Sequence, residues 1–482
     1  MSIGNFWDLN VWGLLFLCAT LLCSMLFANL LKKSIGFLKR SLIPTSVLGG
    51  LILLLIASLY KMITGEIFFN LPIFGGDGIA KLEIITYHGL AIGFIASTMR
   101  TTNKTKEKGR NREIFDTGCT TVATYLIQAI LGLAITIVFA LFVTGLIPAS
   151  GVLLPFGYGQ GTGQALNYGN IYQNDYGFLG GRSFGLTIAA LGFLSASIGG
   201  VIYLNILQKK GKFKVSDEEV TKAINMEQVQ GEDEVPMNGS MDKLSIQVGI
   251  VLGVYMVSFG IMYGLGELVN GVRSILFGFN FLIGVLMATL LKVLLKALRK
   301  KGVVKKQYVN SFLMNRISGF AFDLMIVAGI GAIQLDLIKD YWYVLIILGV
   351  VGALATFIYV KFVCHKLFPS YEYEEFFMMY GMLTGTASTG MILLREIDPE
   401  YQTPAADNLV FQNLPAIIFG FPMMLIAAYA PKYGQTSALI TLAIVTGFFI
   451  VMNLILFRNQ IFRRKKKEEP TIEEQTSSEN VE

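Results

Sequence analysis

Leu153–Gln164 reads Leu-Leu-Pro-Phe-Gly-Tyr-Gly-Gln-Gly-Thr-Gly-Gln, with glycine at 157, 159, 161 and 163 behind Pro155. Very apolar sequence flanks it on both sides. Each glycine costs a helix about 1 kcal/mol relative to alanine, and proline breaks the hydrogen-bond ladder. The stretch therefore predicts a place where no helix runs through. At membrane depth, unwound backbone is tolerated only where it is buried in protein or lines a watery cavity. Its N–H and C=O groups are then available to a solute or an ion. The second half of the chain has a counterpart, Thr384–Gly390, reading Thr-Gly-Thr-Ala-Ser-Thr-Gly. Two polar, glycine-rich breaks, one per half, point to the binding site of a transporter.

The composition supports a membrane setting. The 482 residues are 54% hydrophobic and 15% charged, with a mean hydropathy of +0.59; soluble domains carry roughly 25% charge. Glycine is enriched at 51 residues, as where helices pack closely in lipid. Cys18, Cys23, Cys119 and Cys364 all fall in apolar segments without a CxxC spacing, and read as packing residues, not a disulfide or metal framework. Met1–Asn10 has no basic region, so Val11–Leu31 reads as an uncleaved span.

Runs of about 20 apolar residues are needed to cross hydrocarbon. Such runs lie near Val11–Leu31, Leu42–Ile63, Glu83–Met99, Gly118–Ile147 and Phe178–Leu207, then Leu244–Leu265, Ser274–Leu295, Ile317–Ile333, Tyr341–Cys364, Asn408–Ala428 and Thr436–Phe457. Lysine and arginine concentrate in alternate loops: four in 32–40, six in 100–112, six in 209–243, eight in 292–316 and six in 458–467. The positive-inside rule then places the N-terminus outside and the C-terminus in the cytoplasm. The net charge of +6 is topogenic on this reading, and calls for no nucleic-acid partner.

The first break must then enter from outside and the second from inside. Each half reads as four spans, a re-entrant hairpin and a fifth span, in opposite orientations. The expected fold is an all-α polytopic membrane protein with about 11 transmembrane helices in two inverted-topology repeats. The first repeat occupies 1–207, with an outer hairpin near 149–173. A cytoplasmic linker covers 208–243. The second repeat spans 244–430, with an inner hairpin near 375–397. An extra helix at 431–457 and a disordered cytoplasmic tail at 458–482 follow.

Ser34–Leu51 reads SIGFLKRSLIPTSVLGGL, and it accompanies GQGTG at 159–163, YGF at 176–178 and Gly199–Gly200. With these the chain resembles the bacterial sodium/glutamate symporter family over most of residues 11–430. Three features depart from the pattern: Gln160 stands where members tend to carry His, the second hairpin is rich in Thr and Ser, and the eleventh span is an addition. The resemblance implies sodium-coupled carriage of an acidic amino acid, a homodimer in the plasma membrane, and two hairpins meeting at the substrate. It also implies a mobile transport domain moving against a dimer scaffold. No organic cofactor is implied, and Na⁺ is the coupling ion.

The chemistry of the two breaks suits such cargo. Helix N-termini carry about half a positive charge and receive a carboxylate, while unwound carbonyls suit Na⁺. Gly159, Gly161 and Gly163 would let main-chain N–H groups approach the substrate, with Gln160 offering an amide and Thr162 a hydroxyl. In the second break Thr384, Gly385, Thr386, Ser388 and Thr389 supply hydroxyls and open backbone; plain helix packing also uses clustered Ser and Thr. Arg395 could pair with a substrate carboxylate or sit at the cytoplasmic rim with Glu396 or Asp398. Arg182 poses the same choice. Asp323, inside an apolar span, is a cation ligand, a proton carrier or a partner of Arg316. Thr162, Thr386 and Asp323 are the expected sodium ligands. His88 and His365 read as structural.

No HExxH or GxSxG motif is present, and Gly75-Gly76-Asp77-Gly78 lies in an outer loop, so the chain does not read as an enzyme. A sodium- or proton-coupled carrier of hydroxycarboxylates and an anion-conducting channel remain the alternatives.

Overall fold

The structure, a computed structural model, describes residues 5–100, 110–211, 234, 241–269, 273–399 and 401–460. Among them there is no β-strand, only an isolated bridge between Glu234 and Gln307. Most of the expected linker, and the tail from 461 onward, lie outside the described residues. The first half of the chain contains α1 (Leu9–Ser34), the short α2 (Gly36–Arg40), α3 (Thr45–Thr64), α4 (Gly78–Met99), α5 (Arg110–Phe139), α6 (Leu153–Tyr176) and α7 (Gly181–Lys209). The second contains α8 (Lys243–Leu268), the short α9 (Arg273–Gly278), α10 (Asn280–Lys300), α11 (Ser311–Gly331), α12 (Trp342–Leu367), α13 (Glu372–Thr384) and α14 (Ala387–Arg395). It closes with α15 (Ala405–Phe411), α16 (Asn413–Tyr429) and α17 (Gln435–Leu456).

Ten of these helices are long and apolar enough to cross a membrane. The expected span at Asn408–Ala428 is instead the pair α15 and α16, bent by 50°. Pro415 accounts for the bend. Its ring displaces the carbonyl four residues back, that of Phe411, where α15 ends. Outward faces are apolar: α8 exposes Leu244, Leu252, Met256 and Phe259, the pattern of a helix against hydrocarbon.

Several boundaries differ from hydropathy: α10 starts at Asn280, not Ser274, and α11 at Ser311, not Ile317. α4 starts at Gly78, not Glu83, because Lys81 is neutralised on the spot: its ammonium pairs with Asp77 at 2.5 Å and donates to the Phe74 carbonyl. The Gly75–Gly78 stretch is thus a helix-leading turn. α5 covers Arg110–Phe139 in place of Gly118–Ile147. Its polar first turns are held by ion pairs of Asp116 with Arg112 (3.4 Å) and Arg458 (2.8 Å), and the chain beyond Phe139 turns through Gly145 at φ +84°.

α5 carries an inward polar stripe, Thr117, Thr120, Thr121, Thr124 and Gln128, all buried. Spacings of three and four keep these on one helix face. Each threonine returns its hydroxyl to the carbonyl four residues earlier, so none presents an unpaired donor to an apolar surrounding. From this stripe Thr117 meets Glu375, Thr121 meets Gln412, and Gln128 reaches the Leu383 carbonyl beside the second break.

Candidate functional site

α6 does not unwind through its whole glycine run. Helical geometry persists from Leu153 and fails only at Gly161, with φ +74° and ψ −167°. Pro155 is tolerated because it is the third residue of the helix, where the N–H has no intrahelical partner in any case. Gly157 and Gly159 serve close packing. A Cβ on Gly157 would meet Ile188 and Ala189 of α7, and one on Gly159 would lie 2.0 Å from the Tyr125 ring. Gly163 is similar, pressed by Leu90 and Met325.

The chain turns back at Gly161. The rings of Phe156 and Tyr168 stack with centroids 3.8 Å apart, whereas twelve residues of straight helix would separate them by about 18 Å. The second break repeats the geometry. α13 ends at Gly385 (φ −142°, ψ −107°), and α14 begins after an extended Thr386. The two limbs approach so closely that a Cβ on Gly381 would lie 2.7 Å from the Gly390 Cα.

The two turns meet. A Cβ built on Gly161 would lie 3.3 Å from Thr386 Cγ2 and 3.9 Å from the Gly385 carbonyl oxygen. Side chains from α5 complete the broken backbone on both sides. Tyr125 donates its hydroxyl to the Gly159 carbonyl at 3.1 Å. Gln128 donates its amide to the Leu383 carbonyl at 3.0 Å and to the Thr356 hydroxyl at 2.8 Å. From α6 itself, Tyr158 donates to the Gly349 carbonyl at 2.5 Å and lies 3.0 Å from the Ser195 hydroxyl. Two buried polar atoms on these elements, Gln128 Oε1 and Gln164 Nε2, have no partner among the described residues. An unpartnered buried polar atom costs about 1–3 kcal/mol.

Gly161, Gly385 and Thr386 are therefore brought together, with Gln160 beside Gly161 in the chain. The Thr386 and Thr389 hydroxyls are 3.4 Å apart. Thr384 is fully buried and donates to the Tyr380 carbonyl at 2.6 Å, whereas Ser388 is exposed next to the second turn. Thr162 is committed to the Met325 carbonyl of α11 at 3.1 Å.

Other expected residues lie elsewhere. Arg395 is the exposed last residue of α14, nine residues and about 13 Å of helix from Thr386. Asp323 is half-buried on α11 against Ser46 of α3. Because it precedes Met325 by two residues, it faces another side of α11 from the carbonyl that Thr162 uses. Arg316 lies over the Phe312 ring, not on Asp323. Arg182 is tied to Glu83 at 2.8 Å and Asn170 at 2.9 Å. His88 meets the Tyr255 hydroxyl, and His365 meets Glu372. Sequence reading passed over Tyr125 and Gln128, which the threonine stripe of α5 could have flagged.

The fold is that of a polytopic helical membrane protein, with two interrupted helices meeting in its interior. The sodium/glutamate symporter model matches residues 12–393, and the chain belongs to that family, one of sodium-coupled glutamate carriers. Comparison with curated proteins and with solved structures returned no match. Among the described residues no group of three or more His, Cys, Asp or Glu could hold a metal ion. Hydroxyl and carbonyl oxygens, the donors gathered at the breaks, are what a hard monovalent cation takes.

Proposed function

We propose that the two meeting turns bind an acidic amino acid, glutamate or a close relative, with Na⁺, and that the protein symports them across the plasma membrane by alternating access. The observation that carries this reading is the approach of Gly161 to Thr386 and Gly385. It puts open backbone from both halves at one place, beside Gln128, whose amide holds the Leu383 carbonyl. Substrate contacts fall to the 159–163 and 384–389 segments, and sodium contacts to oxygens of Thr386 and the adjacent carbonyls. Arg395, at the far end of α14, would reach the substrate only after a rearrangement of that limb.

On this reading each turn is the tip of a re-entrant hairpin, the first open to the outside and the second to the cytoplasm, within inverted repeats. The N-terminus is then outside and the C-terminus inside. The moving unit comprises α5, α6, α7 and α12 to α14, which enclose the tips. The remaining spans form a scaffold, and the homodimer follows from family resemblance.

Topology is tested by single cysteines in a cysteine-free background. Gln160→Cys should react with an impermeant thiol reagent added outside, and Ser388→Cys with the same reagent added inside. Labelling of both from one face would sink the inverted arrangement.

Coupling is tested in proteoliposomes. Glutamate uptake should need an inward Na⁺ gradient, and Thr386→Val should raise the Na⁺ concentration for half-maximal uptake by about tenfold, equivalent to 1.4 kcal/mol. Uptake indifferent to Na⁺ and driven by a pH gradient would transfer the coupling role to Asp323. Asp323→Asn should then abolish accumulation and spare exchange.

A further inference from the structure

Glu375, in the first turn of α13, is fully buried and takes no part in the site above. Its carboxyl is hydrogen-bonded on both oxygens. Asn408 of α15 donates its Nδ2 amide to Glu375 Oε2 at 3.0 Å, and the same nitrogen reaches the Tyr371 hydroxyl at 3.2 Å. On the other side Thr117 Oγ1 of α5 lies 2.9 Å from Glu375 Oε1.

The proton count around Thr117 decides the charge. Its hydroxyl oxygen is also 2.9 Å from the Glu113 carbonyl oxygen, and a threonine has one hydroxyl proton to donate. With Glu375 ionised, one of these two oxygen–oxygen contacts has no hydrogen in it. With Glu375 protonated, both are complete: Oε1–H donates to Thr117 Oγ1, and Thr117 donates to the Glu113 carbonyl. Oε2 is then the carbonyl oxygen that accepts from Asn408.

Among the described residues no cation pairs with the carboxyl. From α5, Arg110 pairs with Glu113 at 3.0 Å and donates to the Pro404 carbonyl at 2.9 Å. From α15, Asp407 is 3.7 Å from the same guanidinium. α12 contributes the buried Cys364 thiol, and α13 itself Glu372 and Glu374, with Tyr371 just ahead of it. Glu372 is held by His365. Burial pushes the Glu375 carboxyl up to about 7, against the pull of its hydrogen bonds from Asn408 and Thr117 and of the Arg110 charge.

We propose that Glu375 is a proton-binding site, which fastens the start of α13 to α5 and α15 while its carboxyl carries the proton. Loss of that proton leaves a buried carboxylate with two neutral partners, which favours opening of this contact. The second chain break hangs on α13, so the proton bears on the limb that carries Gly385 and Thr386. The proposal needs no transport measurement, and so it stands or falls independently of the substrate assignment.

The test uses full-length purified protein in lipid nanodiscs without glutamate. The folded state holds this proton more tightly than the unfolded chain, so its contribution to stability is complete below the ordinary carboxyl value of 4.5 and is lost as pH rises from there to about 7. The folding constant should drop by up to about tenfold per pH unit in that range. Melting temperature should therefore fall between about pH 4.5 and pH 7 in the natural protein and level off above that. Glu375→Gln supplies an amide donor to Thr117 and a carbonyl to Asn408, so it should melt as the protonated form does, with that fall removed. Infrared difference spectra over the same titration should show a protonated-carboxyl C=O band that disappears at high pH and is missing in Glu375→Gln. Asp323→Asn should keep both signals. A pH-independent melting temperature in the natural protein, a band that survives in Glu375→Gln, or loss of both signals in Asp323→Asn would each overturn the proposal.

Discussion

Gly161→Ala is expected to abolish glutamate-induced thermal stabilisation while leaving a folded protein in the membrane. Gly161 adopts φ +74° with ψ −167°, a region essentially closed to residues with a Cβ, at a cost of about 1–3 kcal/mol. The new methyl would also sit 3.3 Å from Thr386 Cγ2, on the surface where the two turns face one another. A cost of that size drawn from binding weakens affinity by about 5- to 150-fold. The natural protein at a hundredfold excess over Kd should gain about 2.7 kcal/mol, which reads out as a clear rise in melting temperature. An alanine variant that keeps this rise and transports normally would show the break to be a mere bend.

Gly381→Ala should do the opposite. Its Cβ would lie 2.7 Å from the Gly390 Cα and 2.9 Å from the Gly390 nitrogen, so the limbs of the second turn must separate. Overpacking of this kind costs about 1–3 kcal/mol, and here it meets main chain, which cannot swing aside as a side chain does. The ligand-free melting temperature and the yield of monodisperse protein should both drop. If Gly381→Ala is as stable as the natural protein, the close pairing of α13 with α14 is wrong. The two variants thus separate loss of binding from loss of fold.

The positions of the spans were legible because hydrocarbon imposes a length and a composition on each. Both breaks were legible too, since Gly161 and the Gly385–Thr386 pair lie inside the stretches that glycine and hydroxyl content marked. What composition could not tell was which glycine bends the chain. Gly159 and Gly163 look the same as Gly161 in the sequence, yet they make room for Tyr125 and Met325, residues 34 and 162 positions away. Arg395 seemed near the break because it follows Gly390 closely. In space α14 runs on from Ala387 and carries it away. Glu375 gave no signal, since a glutamate among Glu372 and Glu374 at a helix start reads as a solvated cluster until Thr117 and Asn408 are seen to cover it.

The amide of Gln128 is bound to the Leu383 carbonyl, 255 residues later in the chain. This has a consequence for biogenesis. A ribosome releases α5 with Gln128 and Tyr125 long before α13 exists, so the first half enters the bilayer with its glutamine amide lacking its eventual acceptor. Gly192 is in the same position: the surface it presents is shaped for the Thr384 carbonyl, which would lie 2.5 Å from a Cβ there. Until the second half arrives, that inward polar face must be covered by water, by lipid headgroups or by an insertion factor. Truncation anywhere before Leu383 therefore leaves the Gln128 amide without the Leu383 carbonyl and the Gly192 surface without the Thr384 carbonyl.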